Sequence, residues 1–164
     1  MMESILRDLQ RPEYLHVLLN PLPIYGLAMG LFGLIFAMCL GTRGGQVTAL
    51  VLILVCAAAA WPIAHYGEAA EANILAMSDE DGQAWLKAHE HRAEDLIYVF
   101  HALALVSAAA IFAPRKWPKT ARPLVLATMI LAMASLGAGF YIAQAGGKIR
   151  HREFRTIPPP PKTA

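Results

Sequence analysis

Four long apolar segments alternate with polar ones along this chain. The apolar segments cover roughly residues 22–40, 47–66, 96–113 and 123–145. Each is close to the roughly 20 residues that a helix, rising about 1.5 Å per residue, needs to cross a hydrocarbon core of about 30 Å. None shows the alternation of a barrel strand, and only helices and closed barrels satisfy their backbone groups in lipid. We therefore predict an all-α fold, a bundle of four transmembrane helices.

The longest polar segment between these helices, residues 67–95, joins the second helix to the third. It contains two stretches with helical spacing of apolar residues, 69–77 and 83–94, separated by the turn at 78–82. We expect a short amphipathic helical connection here. Its second part should run directly into the third membrane helix.

Proline and glycine mark the points where these helices should bend or end. Pro62 lies inside the second apolar segment and predicts a kink near residues 58–62. Gly146 and Gly147 are a natural C-terminal stop for the fourth helix. We assign residues 1–157 to a single membrane domain and residues 158–164 to a disordered proline-rich tail.

The composition agrees with a protein that has lipid as its solvent. Of the 164 residues, 57% are hydrophobic and 16% are charged, whereas about a quarter of the residues of a soluble domain are charged. The lipid bilayer is therefore the first predicted partner. The basic residues lack the interleaved aromatic residues of a nucleic-acid surface, so no nucleic-acid partner is expected.

The charged residues are divided unequally between the two sides of the predicted bundle. All twelve acidic residues and all six histidines fall on the side of the N-terminal segment, the long connection and the tail. The two short turns carry only basic residues, namely Arg43, Arg115, Lys116, Lys119 and Arg122. The positive-inside rule places such turns in the cytoplasm. We therefore expect a bacterial inner-membrane protein with its histidine face and both termini outside, although basic residues after the fourth helix argue for the reverse.

Two histidines lie in the apolar segments, and ionisable groups at such depth usually face the bundle interior with a partner. His65 and His101 should lie at similar depths on neighbouring antiparallel helices. Two imidazoles among small residues are what a six-coordinate haem b requires. We expect these two histidines to be the axial ligands, with Lys148 and Arg150 near the propionates. Such a protein would transfer electrons to or from a redox protein partner.

The histidines and carboxylates of this side also allow a transition-metal site, for zinc, iron or copper, in a metal-binding or metal-sensing protein. The candidate ligands are His16, His65, Glu68, His89, Glu90, His91, Glu94, His101 and His151. His89 and His91 are two residues apart and point to different helix faces. Together they suit a single ion only if this segment is a loop.

A third hypothesis is a structural or assembly subunit without a cofactor. Small residues recur every four positions in the fourth helix, at Ser135, Gly139, Ala143 and Gly147. Such a stripe lets another helix approach closely, either within the bundle, in a partner or in a homo-oligomer. No pairing of a nucleophile with a base stands out, so we assign no catalytic residue.

Two short stretches resemble a family of uncharacterised bacterial four-helix integral membrane proteins, a domain of unknown function. They are HVLLNPLPIY at 16–25 and GGKIRHRE at 146–153. The residues that carry the resemblance are His16, Pro21, Gly146, Gly147 and His151. Some members are associated with Rieske-type or cytochrome proteins, so the resemblance implies a four-helix fold and a role in electron transfer. This chain departs from the commoner pattern, because four residues separate His16 from Pro21.

Overall fold

The computed structural model describes residues 2–160, and helices account for most of them. The α-helices are α1 (Met2–Asp8), α2 (Pro12–Leu19), α3 (Leu27–Cys39), α4 (Arg43–Ala58), α5 (Ala60–Ala76), α6 (Glu80–Phe112) and α7 (Ala121–Arg150). A π-helical turn, Leu22–Gly26, lies between α2 and α3. None of the described residues belongs to a β-strand, and the predicted all-α fold is confirmed.

These elements form four spans, each long and apolar enough to cross a membrane, as expected of an integral membrane protein. They are span 1 (Pro12–Cys39), span 2 (Arg43–Ala76), span 3 (Glu80–Arg115) and span 4 (Pro118–Arg150). Span 1 and span 3 each pack against spans 2 and 4, so spans 1 and 3 lie diagonally across the bundle. We call the end that contains the link between spans 2 and 3, at residues 77–79, the histidine end.

Large apolar side chains cover both the inside and the outside of the bundle. Leu34, Leu50 and Leu103 are fully buried between the spans, whereas Leu105 and Ile130 are 73% and 70% exposed. A water-soluble protein rarely exposes contiguous apolar surface on this scale. This outer surface is suited to contact with lipid chains.

The helical connection predicted between spans 2 and 3 is formed by the ends of the two spans themselves. The two spans simply continue past the apolar segments, and only residues 77–79 link them. The Asp79 side chain caps span 3, because its Oδ1 accepts a hydrogen bond of 2.9 Å from the Gly82 amide. This cap allows a tight turn, so residues 83–94 do run directly into the third membrane helix, as predicted.

The predicted kink in span 2 and the predicted end of span 4 have different outcomes. Span 2 is interrupted at Ala59, within the region where Pro62 predicts a kink, because a proline removes one backbone hydrogen bond. Span 4 continues through Gly146 and ends only at Arg150, so the predicted stop at the two glycines is wrong. The reason for Gly146 is the close approach of another side chain, described below. The predicted tail at 158–164 falls partly outside the described residues, and residues 158–160 have no regular secondary structure.

The segment after span 4 is attached to the histidine end by Arg155. Its guanidinium donates hydrogen bonds to the carbonyl oxygens of Lys148 and Ile149, both at 2.8 Å, and to Asp79 Oδ2 at 2.9 Å. Arg152 also contacts this carboxylate, with Nε 2.9 Å from Oδ2. Arg155 thus joins the C-terminal end of span 4 to the N-terminal cap of span 3.

This contact should make the stability of the protein sensitive to acid. The hydrogen bond from Arg155 and the cap to Gly82 lower the pKa of Asp79 from 3.8 to about 2. A carboxylate with a lowered pKa stabilises the fold fully above its ordinary pKa, and this contribution is lost as the pH falls through the lowered value. The melting temperature of wild type should therefore exceed that of Asp79→Asn at pH 6, and the difference should shrink between about pH 4 and pH 2. Thermal unfolding in detergent, with Asp8→Asn as the control, measures this difference; a gap that persists at pH 2 would contradict it.

Candidate functional site

His16 is held by span 2 in a single orientation. Its Nδ1 lies 2.9 Å from the carbonyl oxygen of Ile63. Gly67, one turn further along span 2, lies against the imidazole, since a Cβ added to Gly67 would be 3.1 Å from Nδ1 and Cε1 of His16. The glycine therefore gives the ring the space in which it makes this hydrogen bond.

His89 on span 3 has the same environment, supplied by span 4. Its Nδ1 lies 3.0 Å from the carbonyl oxygen of Ile142. A Cβ on Gly146, one turn further along, would be 3.1 Å from Nδ1 and Cε1 of His89. This approach explains a glycine at 146 inside a helix that does not end there.

These contacts determine which nitrogen of each imidazole is free. A carbonyl oxygen can only accept, so each Nδ1 carries a proton and donates it. In the neutral imidazole, Nε2 then has a free lone pair, which is the usual arrangement of a histidine that binds a metal through one nitrogen and a carbonyl through the other. His16 and His89 therefore resemble metal ligands in their second contacts as well as in their residue type.

The distance between the two rings suits one metal atom between them. Their centroids are 6.2 Å apart and their planes make an angle of 84°. With metal–nitrogen bonds of about 2.0 Å and ring nitrogens about 1.1 Å from the ring centre, two imidazoles on opposite sides of one metal have centroids roughly 6.2 Å apart. Perpendicular ring planes are compatible with such an arrangement, because each plane can contain the same metal–nitrogen axis.

Both histidines line a small cavity inside the bundle, with a free volume of about 80 Å³. Apart from the histidines and Asn20, the lining is apolar, and several of its residues are Ala or Gly. The two imidazoles and Asn20 are therefore the polar side chains that face this cavity.

The lining of the cavity repeats, because residues of spans 1 and 2 correspond to residues of spans 3 and 4. Twelve of its fourteen lining residues fall into pairs at equal spacing, and only Pro23 and Phe100 lie outside this relation. The pairs are His16 with His89, Asn20 with Ala93, Ile24 with Ile97, Ala60 with Gly139, Ile63 with Ile142, and Ala64 with Ala143. The two histidines thus belong to one duplicated arrangement.

This duplication is visible in the sequence as two repeated patterns. Spans 1 and 3 contain His-x₃-(Asn/Ala)-x₃-Ile, starting at His16 and His89. Spans 2 and 4 contain (Ala/Gly)-x₂-Ile-Ala-x₂-Gly, starting at Ala60 and Gly139. This repeat pairs His16 with His89, whereas the depth of the histidines along their helices pairs His65 with His101.

The predicted axial ligands, His65 and His101, lie elsewhere. His65 is exposed and stacks on Trp61, itself 67% exposed, at 6.3 Å between centroids. His101 makes an edge contact with the ring of Tyr98, which is 71% exposed. Neither histidine lines the cavity, because each sits on a helix face that carries exposed aromatic residues. Their pairing stays a prediction, without the shared cavity that His16 and His89 have.

The remaining candidate residues are spread around the histidine end. Exposed members include Glu68, His91, Glu94, Arg150 and His151. His91 Nδ1 lies 3.4 Å from Asp95 Oδ2, and His151 Nδ1 lies 3.0 Å from Glu153 Oε1. A backbone hydrogen bond and, to a smaller extent, the hydrogen bond with His151 lower the pKa of Glu153. Glu90 pairs with Lys87. Among residues 2–160, no three His, Cys, Asp or Glu side chains are arranged to hold one ion.

The small stripe of span 4 is used within the chain. Ser135 and Gly139 are buried, and a Cβ on Gly139 would lie 3.3 Å from Cγ1 of Ile24. Ala143 lines the cavity, and a Cβ on Gly147 would lie 3.6 Å from the ring of Phe154. Packing inside the bundle therefore accounts for the stripe, and it does not form an exposed docking face.

No family model, no curated protein and no solved structure matches this chain. The resemblance to the four-helix bacterial family therefore stays a prediction, and the case for function depends on the cavity itself.

Proposed function

We propose that this membrane protein binds one haem b between His16 and His89 and transfers electrons. One observation carries the proposal: the imidazoles of His16 and His89, from two diagonal spans, line one cavity with their ring centroids 6.2 Å apart. Each imidazole is hydrogen-bonded through Nδ1 to a backbone carbonyl oxygen. This pair replaces His65 and His101 as the axial ligands that we propose.

The number of ligands favours haem over a single metal ion. A structural zinc ion takes four protein ligands and a catalytic one takes about three. The cavity offers two histidines, and the described residues provide no group of three or more ligands. Haem iron needs only two ligands from the protein, because the macrocycle supplies the other four.

The rest of the cavity lining is apolar. Apart from Asn20, the residues beside the histidines have apolar side chains or are glycine, with Ile24 and Ile97 at corresponding positions of spans 1 and 3. Such a lining offers few further ligands to a bare metal ion, which favours a macrocycle whose own nitrogens complete the coordination of the metal.

The coordination by two histidines favours electron transfer over chemistry on a bound substrate. Haem supplies a one-electron redox couple when bound. His16 and His89 would together hold the haem iron, and such coordination would leave no position for oxygen or another small ligand. The cavity lies toward the histidine end, so we expect a redox partner to bind there.

The absorption spectrum of the purified protein tests this proposal. Protein expressed with ample haem supply and purified in mild detergent should show a sharp Soret band that shifts on reduction, typical of low-spin iron with two imidazoles. A pyridine haemochrome measurement should give about one b-type haem per chain. Colourless protein that also fails to bind haemin in a titration would refute the proposal, and a metal without porphyrin would favour the metal-binding alternative.

A further inference from the structure

The end of the bundle opposite the histidine end carries a cluster of basic side chains. It is formed by the two short turns, at residues 41–46 and 114–122, which contain five of the fourteen basic residues of the chain and none of its twelve acidic residues. Arg115, Lys116, Lys119 and Arg122 are exposed, and Arg43 is half-buried. We call these five residues the basic patch.

The charges of the basic patch are not neutralised within the described part of the chain. None of the ion pairs among residues 2–160 involves any of the five residues. Arg43 donates hydrogen bonds to two neutral oxygens, the carbonyl of Ala110 at 2.8 Å and Gln46 Oε1 at 3.4 Å. Ala110 lies at the end of span 3 that leads directly into the second turn, so cations from both turns share this end of the bundle. Because these like charges repel one another, an anionic partner would stabilise the surface.

Two of these cations lie against exposed aromatic rings. Arg115 Cζ is 5.2 Å from the centroid of the Phe112 ring, and Lys116 Nζ is 5.1 Å from that of Trp117. The two aromatic residues are 55% and 56% exposed, respectively. Aromatic rings at the ends of membrane helices, tryptophan above all, are typical of the boundary between acyl chains and headgroups. Each pair therefore presents an apolar ring to the lipid and a cation at the level of the headgroups.

We propose that the basic patch binds the phosphate group of an anionic phospholipid. The exposed apolar side chains of Phe112 and Leu126 lie within four residues of Arg115 and Arg122, which corresponds to about 6 Å along a helix. When these apolar side chains contact acyl chains, the cations are at the depth of the lipid phosphates. This position favours a lipid over an acidic soluble protein as the partner. The inference goes beyond haem binding and does not depend on it.

Competition between two phospholipids with the same acyl chains tests this proposal. Delipidated protein in a non-ionic detergent receives an equimolar mixture of phosphatidylglycerol and phosphatidylcholine, and native mass spectrometry counts the bound molecules of each. One basic residue near an anionic lipid surface strengthens binding about fivefold, whereas the choline group of the zwitterionic lipid neutralises its own phosphate. Wild type should therefore bind at least about fivefold more phosphatidylglycerol than phosphatidylcholine.

Removing three cations of the basic patch should abolish most of this preference. The variant combines Lys116→Gln, Lys119→Gln and Arg122→Gln. All three residues are exposed, so circular dichroism should show unchanged helical content. The loss should affect phosphatidylglycerol and leave the binding of phosphatidylcholine at the wild-type level, because only the charge of the surface is changed.

A second triple variant is the matched control. It combines Arg7→Gln, Arg11→Gln and Arg150→Gln, which remove the same charge from exposed positions outside the basic patch, and it should keep the preference. Equal binding of the two lipids to wild type would refute the proposal. A control that loses the preference as fully as the patch variant would also overturn it, because the net charge of the protein and not the patch would then decide. If the lipids bind equally while an acidic protein co-purifies with wild type and not with the patch variant, the patch is a protein interface and the proposal fails.

Discussion

Replacing His16 or His89 with alanine should abolish the low-spin haem spectrum and weaken haem binding by more than about 100-fold. Losing the hydrogen-bond partner of a metal-binding histidine already weakens metal binding by about 10–100-fold, and these substitutions remove the histidine itself. Each variant leaves one imidazole, so any haem that still binds should be five-coordinate and high-spin. Absorption spectra and haemin titrations of the purified variants measure both effects.

His65→Ala and His101→Ala are the matched controls for this experiment. Both histidines lie on the same spans or the neighbouring ones but outside the cavity, so their removal should leave the spectrum unchanged. A further control is His89→Gly with free imidazole added, which should restore part of the low-spin spectrum if the cavity is intact. If His65→Ala and His101→Ala lose haem while the variants at His16 and His89 keep it, the original axial pair is correct and ours is wrong.

Enlarging either glycine that faces a histidine should have the second largest effect. In Gly67→Leu or Gly146→Leu, the new side chain would occupy the space of an imidazole, since even a Cβ lies only 3.1 Å from the ring. The ring would leave its carbonyl partner on Ile63 or Ile142. We expect haem affinity to fall by about 10–100-fold, as for the loss of other outer contacts, and overpacking to cost about 1–3 kcal/mol of stability.

Gly137→Leu is the control for these glycine variants, because a Cβ at position 137 has no atom within 4 Å. It has the same change in residue type and lies on the same span as Gly146. Size-exclusion chromatography and circular dichroism distinguish loss of fold from loss of ligand, and haemin titration measures the latter. A folded Gly146→Leu variant that binds haem as tightly as Gly137→Leu would contradict the role we give to this glycine.

Apolar patterning was sufficient to predict the architecture. Runs of about twenty apolar residues have one solution in lipid, a helix that satisfies its own backbone groups. The bend near Pro62 was predicted for a similarly local reason, the missing backbone N–H. The end of span 4 was predicted less well, because Gly146 lies against the His89 ring and does not end the helix.

The pairing of His16 with His89 could not be predicted from how deep each histidine lies along its helix. His65 and His101 lie at similar depths in neighbouring apolar segments, which favours them as a pair, but their rings contact the exposed Trp61 and Tyr98. His16 and His89 lie outside the four apolar segments, and the sequence analysis includes them only as candidates for a mixed metal site. Which face of a helix points inward depends on the packing of all four spans, and an error of one or two residues in a helical face reverses the answer.

The sequence alone therefore determined four helical spans, their lipid-facing character and the set of histidines from which ligands could come, since these follow from local hydrophobicity and residue type. Only the tertiary structure decided that His16 and His89 share a cavity, that Gly67 and Gly146 make room for them, and that Lys148 is buried over Trp85. The physical reason is that these contacts join residues that are dozens of positions apart along the chain. They exist only when diagonal helices bring two copies of one local pattern to face each other.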